Sequence, residues 1–214
     1  MRDGFNWYSY CGGNPVGYVD WSGMYDRETA KRYAEKWAKS RNPDYDIRRL
    51  PIFRNVSVPK WTWSDCTNYA SQVLHAGGVE MRDNWYFNKG EYNLKGSASS
   101  YAISWTESTA FAEWLRSEEN IVDSEIVLLK GSNKSDISKI IDQIAIGDLV
   151  GFAGDSKWEN NVLKAKNIHH FAVITKIESN MIYYSGHTND RLNESIITAL
   201  VENLIIFHIN PDAK

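Results

Sequence analysis

One cysteine and two histidines in this sequence have the types and positions needed to break an amide bond. Cys66 stands at the start of a segment with helical spacing, and His170 and His187 lie at the ends of two strand-like segments. A cysteine nucleophile needs a base that removes its proton and a polar group that orients that base. An imidazole takes the thiol proton, the thiolate attacks a carbonyl carbon, and the protonated imidazole then protonates the leaving amine. We expect His187 to hold the base in the right tautomer.

The segment around Cys66 predicts an amphipathic helix with the thiol in its first turn. Apolar residues recur at positions 66, 69, 70, 73 and 74, Ser64 and Asp65 are good N-cap residues, and Gly77-Gly78 can end the helix. The dipole of a helix start favours a thiolate and can lower a cysteine pKa from ~8.5 to roughly 3.5–7.5. The Cys66 backbone N–H would also stabilise an oxyanion. A buried, unreactive cysteine is the alternative for an isolated thiol.

The geometry of the two histidines depends on the loop that joins their strands. A two-residue or four-residue loop would put His170 and His187 on one face of the sheet, directly opposite each other in the four-residue case. A plain three-residue loop would put them on opposite faces. The prediction of a paired site therefore rests on the register of this hairpin.

Helical periodicity comes first along the chain, and strand-like alternation comes later. Besides the Cys66 helix, the spacing predicts helices over about 27–40, capped by Asp26, and about 107–117, capped by Thr106, with a short one from Ser135 to about 144. Strands are predicted over about 121–129, 147–152, 170–177, 181–187 and 204–209. This order indicates an α+β domain with helices packed on an antiparallel sheet.

Composition excludes several classes of protein. The 214 residues carry a net charge of −3 with no basic run, which argues against a nucleic-acid partner. No apolar run approaches the ~20 residues of a membrane span, and no signal peptide opens the chain. Cys11 and Cys66 are too few for a disulfide framework. We expect no cofactor and no metal, although Cys66, His170 and His187 are of types that bind zinc.

Several aromatic residues could line a substrate groove. The stretch from Gly78 to Trp105 is rich in Trp, Tyr, Gly and Ser and has no clear period, and long irregular stretches tend to be functional. Trp85, Tyr86 and Trp105, together with His169, are the candidates. Packing of these aromatic side chains in the core is an equally good interpretation.

Residues 1–24 are rich in Gly and aromatics and resemble the end of the RHS-repeat core, whose last repeat reads N-x-Y-x-Y-x-G-N-P-V-x-x-V-D-P-x-G. The matching residues are Asn6, Tyr8, Tyr10, Gly13-Asn14-Pro15-Val16, Val19-Asp20 and Gly23. Trp21 stands where the family usually has proline. This departure affects the expectation that the chain cleaves itself at the end of the core, but not the expected boundary between core and toxin domain. The resemblance implies that residues 1–24 are the tail of an RHS core and residues 25–214 are its C-terminal toxin domain. It also implies an RHS-repeat core upstream and a cognate immunity protein.

From residue 25 to about 209 the sequence resembles the bacterial putative-amidase domain family of papain-like, NlpC-type cell-wall peptidases. The family signature D-C-T-N-F-x-S-Q-x-L-x-A-G-G matches the run from Asp65 through Gly78. Further matches are Asn42-Pro43, Tyr45, Ser104-Trp105-Thr106, Gly147-Asp148-Leu149-Val150, His170, Ala172-Val173-Ile174-Thr175, Tyr184, His187-Thr188 and Asp190. The resemblance implies a papain-like fold with Cys66 as nucleophile, His170 rather than His169 as base, and His187 as the third member. Asp65 would help to orient the loop.

Together the two resemblances imply a thiol amidase or peptidase toxin domain that is secreted or delivered into a target cell. Amide bonds in peptidoglycan stem peptides are the first substrate class. A papain-like protease or deamidase that acts on a protein of the target cell is the alternative within enzymes. A catalytically inert module that binds cell wall or glycan through its aromatics is the alternative from a different class.

Overall fold

The computed structural model of the chain describes residues 24–46, 65–88, 101–154 and 168–214. The predicted RHS-core tail, including Trp21, falls on residues that lie outside this part of the chain, apart from Met24. The same holds for Ser64, one of the two predicted N-cap residues.

The described residues form an α+β fold, as predicted. The helices are α1 Arg27–Trp37, α2 Cys66–Ala76, α3 Ile103–Thr106, α4 Ser108–Ser117 and α5 Lys134–Ile140. The strands are β1 Val122–Leu128, β2 Leu149–Phe152, β3 His170–Glu178, β4 Met181–Gly186, β5 Arg191–Ser195 and β6 Leu204–Ile209. Short 3-10 helices cover Pro43–Tyr45, Ile141–Gln143 and Ile196–Ala199. Within the described ranges, no helix is long and apolar enough to cross a membrane.

The strands form one antiparallel six-stranded sheet in the order β1-β6-β2-β3-β4-β5, and each face of this sheet carries its own core. On one face, which we call the α2 face, Phe171 and Val173 of β3 pack in one cluster with Tyr69 and Val73 of α2. On the other face, which we call the α5 face, Ala172 and Ile174 of β3 pack in a second cluster with Ile137 of α5. Because strand side chains alternate between faces, each position on β3 can be assigned to one of these two cores.

Helix α2 is buried along most of its length, from Cys66 to Leu74. It ends as predicted at the glycine pair, where Gly78 has a φ of +115°. Gly77 is required for a different reason, because a Cβ there would lie 2.2 Å from the Tyr25 ring. The helix is therefore fixed at its C-terminal end by close packing against the segment that enters α1.

The β3–β4 hairpin has a two-residue turn, but its register is interrupted by a bulge. Ser179 and Asn180 both have positive φ values, 52° and 57°, as a twisted two-residue hairpin turn requires. Next to the turn Glu178 pairs with Met181, whereas beyond Thr175 the register shifts by one residue and Val173 pairs with Ser185. One extra residue on β3 therefore reverses which face the start of β3 shares with the end of β4.

Two predicted helix caps were wrong by one or two residues. Glu107, and not Thr106, caps α4 by accepting hydrogen bonds from the first-turn backbone, because Thr106 already belongs to α3. Asn133, and not Ser135, caps α5 in a capping box with Asp136. The longer side chain of Glu107, and the earlier position of Asn133, allow these residues to reach the free N–H groups of the first turn.

Candidate active site

Asp65 and His187 meet at the start of α2, the helix that begins with Cys66. Cys66 is the first residue of the helix and is 1% exposed. The carboxylate of Asp65, the residue before it, lies 2.7 Å from Nδ1 of His187. One turn along α2, the Tyr69 ring lies with its centroid 4.2 Å from that of His187. His187 therefore lies on the α2 face, beside the turn that carries the thiol.

The Asp65 carboxylate is fully engaged by donors, although none of them is a helix N–H. Its Oδ2 accepts from His187 and lies 2.9 Å from Nε of Arg41, and its Oδ1 accepts from Asn68 Nδ2 at 2.7 Å. Asp65 does occupy the N-cap position, but its side chain makes no capping hydrogen bond, so the predicted capping role was wrong. The carboxylate is directed at the histidine instead. Neither Arg41 nor the Asp65–His187 bond was predicted from the sequence.

Both ring nitrogens of His187 have acceptors as partners. Nδ1 binds the Asp65 carboxylate, and Nε2 lies 2.8 Å from the backbone oxygen of Trp37, at the end of α1. Tyr69 beneath the ring donates its hydroxyl to Ala34 O, and burial raises the pKa of Tyr69, so that it stays a neutral donor. The imidazole is thus held on two sides by carboxylate and carbonyl.

The structure does not bring His170 to this group. His170 pairs with Phe152 across β2 and β3, and the two rings meet edge-on with 4.9 Å between their centroids. Phe152 belongs to the α5-face core, so His170 lies on the face opposite to α2 and His187. The bulge at Thr175 is the reason, because the two-residue turn alone would have put both histidines on one face. The neighbouring His169 is exposed, with Nε2 3.1 Å from a Glu202 carboxylate oxygen.

Metal ligation by the three candidate residues is not supported by their positions. His170 is separated from Cys66 and His187 by the sheet itself. Among the residues that the structure describes, no group of three or more His, Cys, Asp or Glu side chains could hold a metal ion.

Two other polar residues of the α2 signature, Asn68 and Ser71, anchor two buried tryptophans. Asn68 accepts a hydrogen bond from the Trp105 indole N–H at 2.9 Å. Ser71 donates to the Trp105 carbonyl at 3.1 Å and accepts from the Trp85 indole N–H at 3.2 Å. Both indoles are fully buried, so Trp85 and Trp105 pack in the core, which is the alternative that the sequence left open. Because a buried indole N–H without a partner is costly, these polar residues stabilise the aromatic core.

Tyr86 is the predicted groove residue that borders open space. It lines a surface cavity of about 910 Å³ formed by the turn before it and by α3 and α4. The described lining residues include Asp83, Ile103 and Glu113 but not Asp65, Cys66 or His187. Among the described residues, the cavity and the cysteine site therefore share no lining residue.

The Gly147-Asp148 pair, whose role the sequence could not supply, is structural. Asp148 is fully buried, and its carboxylate accepts from Arg27 Nη1 at 2.6 Å and from the backbone N–H of Ile209 at 3.0 Å. The second oxygen accepts from Ala145 N at 2.7 Å and lies 2.8 Å from His208 Nδ1. This carboxylate joins α1, β2 and β6, and these bonds compensate for its burial.

Comparison with known proteins supports a family for this chain. The family model described as "Putative amidase domain" matches residues 24–209. A protein of Bacillus subtilis (strain 168), described as "Uncharacterized protein YhbB", is 29% identical over 170 residues, which cover 78% of this chain and 42% of that protein. The chain thus matches less than half the length of this relative. No solved structure matches. Since the model covers most of the sequence, the chain belongs to the putative amidase domain family.

Proposed function

We propose that this chain is a cysteine-dependent amide hydrolase with Cys66 as its nucleophile. Membership of the amidase domain family supports hydrolysis of C–N bonds. The observation that carries the cysteine assignment is the Asp65–His187 pair beside the first turn of α2, where the thiol stands. A thiol at a helix start, next to an imidazole held by a carboxylate, is the arrangement that nucleophilic acyl transfer needs.

The reaction follows from these groups. An imidazole removes the Cys66 proton, and the thiolate forms a bond to the carbonyl carbon of the amide. Backbone N–H groups at the helix start stabilise the oxyanion. The C–N bond then breaks, the imidazolium gives its proton to the leaving amine, and a thioester remains on Cys66. Water, deprotonated by the same imidazole, releases the acid and restores the thiol.

Two histidines are candidates for the base. The Asp65 carboxylate bonded to Nδ1 supports His187, whose Nε2 would serve the thiol once this nitrogen is released from the Trp37 carbonyl. The sequence resemblance favours His170, with His187 as the orienting residue. The second assignment requires a hairpin register in which His170 and His187 share a face. In the register described here they do not.

The finer identity of the enzyme is also a proposal. We assign a papain-like, NlpC-type fold, supported by a cysteine helix packed on an antiparallel sheet with a histidine at a strand end. Peptidoglycan stem peptides are the proposed substrate, and a protein of the target cell is the alternative. The resemblance of residues 1–24 to an RHS core supports a delivered toxin domain that a cognate immunity protein blocks. A module that only binds cell wall or glycan would have no use for the thiol.

Mass spectrometry of purified peptidoglycan, incubated with the wild type and with Cys66→Ala, tests this function. New stem-peptide fragments from the wild type alone support a wall amidase and identify the bond. Fragments from both proteins refute the cysteine mechanism. If neither releases anything, the same pair is incubated with target-cell proteins, and cleavage or conversion of side-chain amides to carboxylates supports the protease or deamidase alternative. Binding to peptidoglycan without any Cys66-dependent product supports the inert module.

A second comparison identifies the base. His187→Ala and His170→Ala are assayed side by side, so that each is the control for the other, and His169→Ala is added because that exposed histidine is a predicted groove residue. Loss of activity in His187→Ala with activity retained in His170→Ala supports the geometric assignment. The reverse result supports the assignment from resemblance.

A further inference from the structure

Arg41 links the start of α2 to the turn that carries His187. Its Nε lies 2.9 Å from Asp65 Oδ2, the oxygen that also accepts from His187. Its Nη1 donates to Asp190 Oδ1 at 2.7 Å. We infer that Arg41 is a positioning residue that fixes Asp65 and, through it, the His187 ring. This inference rests on the proposed function and names a residue that the function itself does not require.

The contact depends on the shape of the guanidinium group. A planar fork can direct one N–H at Asp65 and another at Asp190 at the same time, whereas the ammonium of lysine is a point charge. The side chains of Arg41 and Asp65 are each only 20% exposed, so this pair is shielded more than an ordinary surface ion pair. Asp190, at 47% exposure, is the weaker end of the bridge.

The turn after β4 needs an external support. Thr188 and Asp190 have φ values of +78° and +50°, a region that residues other than glycine adopt at a cost. Arg41 holds this turn through Asp190, and the Trp37 carbonyl holds the His187 ring from the same end of α1. The five residues from Trp37, the last of α1, to Arg41 thus carry both supports. Without Arg41, the Asp65 carboxylate keeps His187 and Asn68 as partners but loses the second donor on Oδ2 and its link to Asp190.

A double-mutant cycle with Asp65 tests this role through the catalytic rate. We expect Arg41→Gln to lower kcat about 10- to 100-fold with little change in KM, because the residue acts on alignment and not on substrate binding. In an Asp65→Asn background the same change should have almost no further effect, since the two residues act as a unit. Arg41→Lys should recover only part of the rate. Arg116→Gln, which breaks an arginine–carboxylate pair between α4 and β1, is the matched control.

A spectroscopic measurement tests the inference even if the substrate is wrong. In the wild type the His187 ring N–H bonded to Asp65 should give a low-field proton signal, because the ring is 1% exposed and exchange with water is slow. His187→Gln assigns this signal. Arg41→Gln should shift or broaden it, and Arg116→Gln should leave it unchanged.

The two arms separate the two hypotheses. If the wild type hydrolyses no amide but Arg41→Gln alters the His187 signal, the proposed function fails and the positioning role stands. If the wild type is active, and Arg41→Gln leaves the signal unchanged and adds its full effect to that of Asp65→Asn, the inference about Arg41 is overturned.

Discussion

Replacement of Asp65 by asparagine separates the two assignments of the catalytic base. The substitution keeps the size of the side chain and removes its charge. One of its two ends becomes an NH₂ group, and donors face both ends of this side chain. Asn68 Nδ2 faces Oδ1, while His187 Nδ1 and Arg41 Nε face Oδ2. In either orientation of the new amide, its NH₂ group therefore faces another hydrogen-bond donor and cannot accept a hydrogen bond from it.

The loss in the free energy of unfolding follows from the hydrogen bonds that Asp65→Asn keeps and loses. With its NH₂ group toward Asn68, the asparagine loses that hydrogen bond and leaves the two bonds at the other end without the negative charge of the carboxylate. A charged hydrogen bond contributes about 1 kcal/mol more than a neutral one, and an unsatisfied buried donor costs about 1–3 kcal/mol. Since Asp65 is one-fifth exposed, we expect the lower part of that range, a loss of about 2–3 kcal/mol in the free energy of unfolding. If His187 is the base, kcat should fall by about 10²- to 10⁴-fold.

Two measurements check this prediction on the same protein. Urea denaturation gives the change in the free energy of unfolding, and release of soluble muropeptide fragments gives the rate. Asp142→Asn, the same change at an exposed carboxylate in the 3-10 helix after α5, provides the control. A folded Asp65→Asn protein with the wild-type rate would refute our reasoning. It would show that the Asp65–His187 bond does not serve the reaction and would leave His170 as the base.

Three further predictions concern the scaffold. Asp148→Asn should lower the free energy of unfolding by about 3–5 kcal/mol, because it leaves Arg27 and the other donors without their buried carboxylate. Urea denaturation measures this change, and a loss below about 1 kcal/mol would contradict the prediction. Gly77→Ala should cost about 1–3 kcal/mol by the same assay, since its Cβ would overlap the Tyr25 ring, and unchanged stability would show that this ring can move. Burial raises the pKa of Tyr69 above its ordinary value near 10, so its contribution is complete below pH ~10 and is lost as the pH rises further. The melting temperature should therefore fall above pH ~10, less steeply in Tyr69→Phe, and equal slopes would contradict the assignment.

Local patterns predicted the elements well where packing follows the sequence period. The apolar stripe of α2 and its glycine end are both as expected, because the helix buries that stripe along its whole length. The nearly continuous apolar run of β6 also predicted its strand, Leu204–Ile209. Such segments carry their structural information within a few residues of each other.

The hairpin register could not be predicted, because distant residues set it. Thr175 occupies the bulge, and its hydroxyl lies 2.9 Å from Ser185 Oγ and donates to Asn193 Oδ1 at 2.7 Å. Asn193 belongs to β5, a short edge strand whose polar sequence gave no signal of a strand. The missed strand and the unpredicted face of His170 therefore have one cause. Counting residues across a turn cannot detect a bulge that a third strand stabilises.

The side chain of Asp65 departs from a local rule at the point where function is expected. An aspartate at an N-cap position ordinarily binds the helix N–H groups, and such a cap contributes about 1 kcal/mol. Here the carboxylate forgoes that bond and takes His187 and Arg41 as its partners instead. Departures of this kind are expected at functional sites, because a residue committed to chemistry gives up local stability that the surrounding packing must supply. The buried length of α2, with its polar residues fixed on Trp85 and Trp105, supplies that packing beside the thiol.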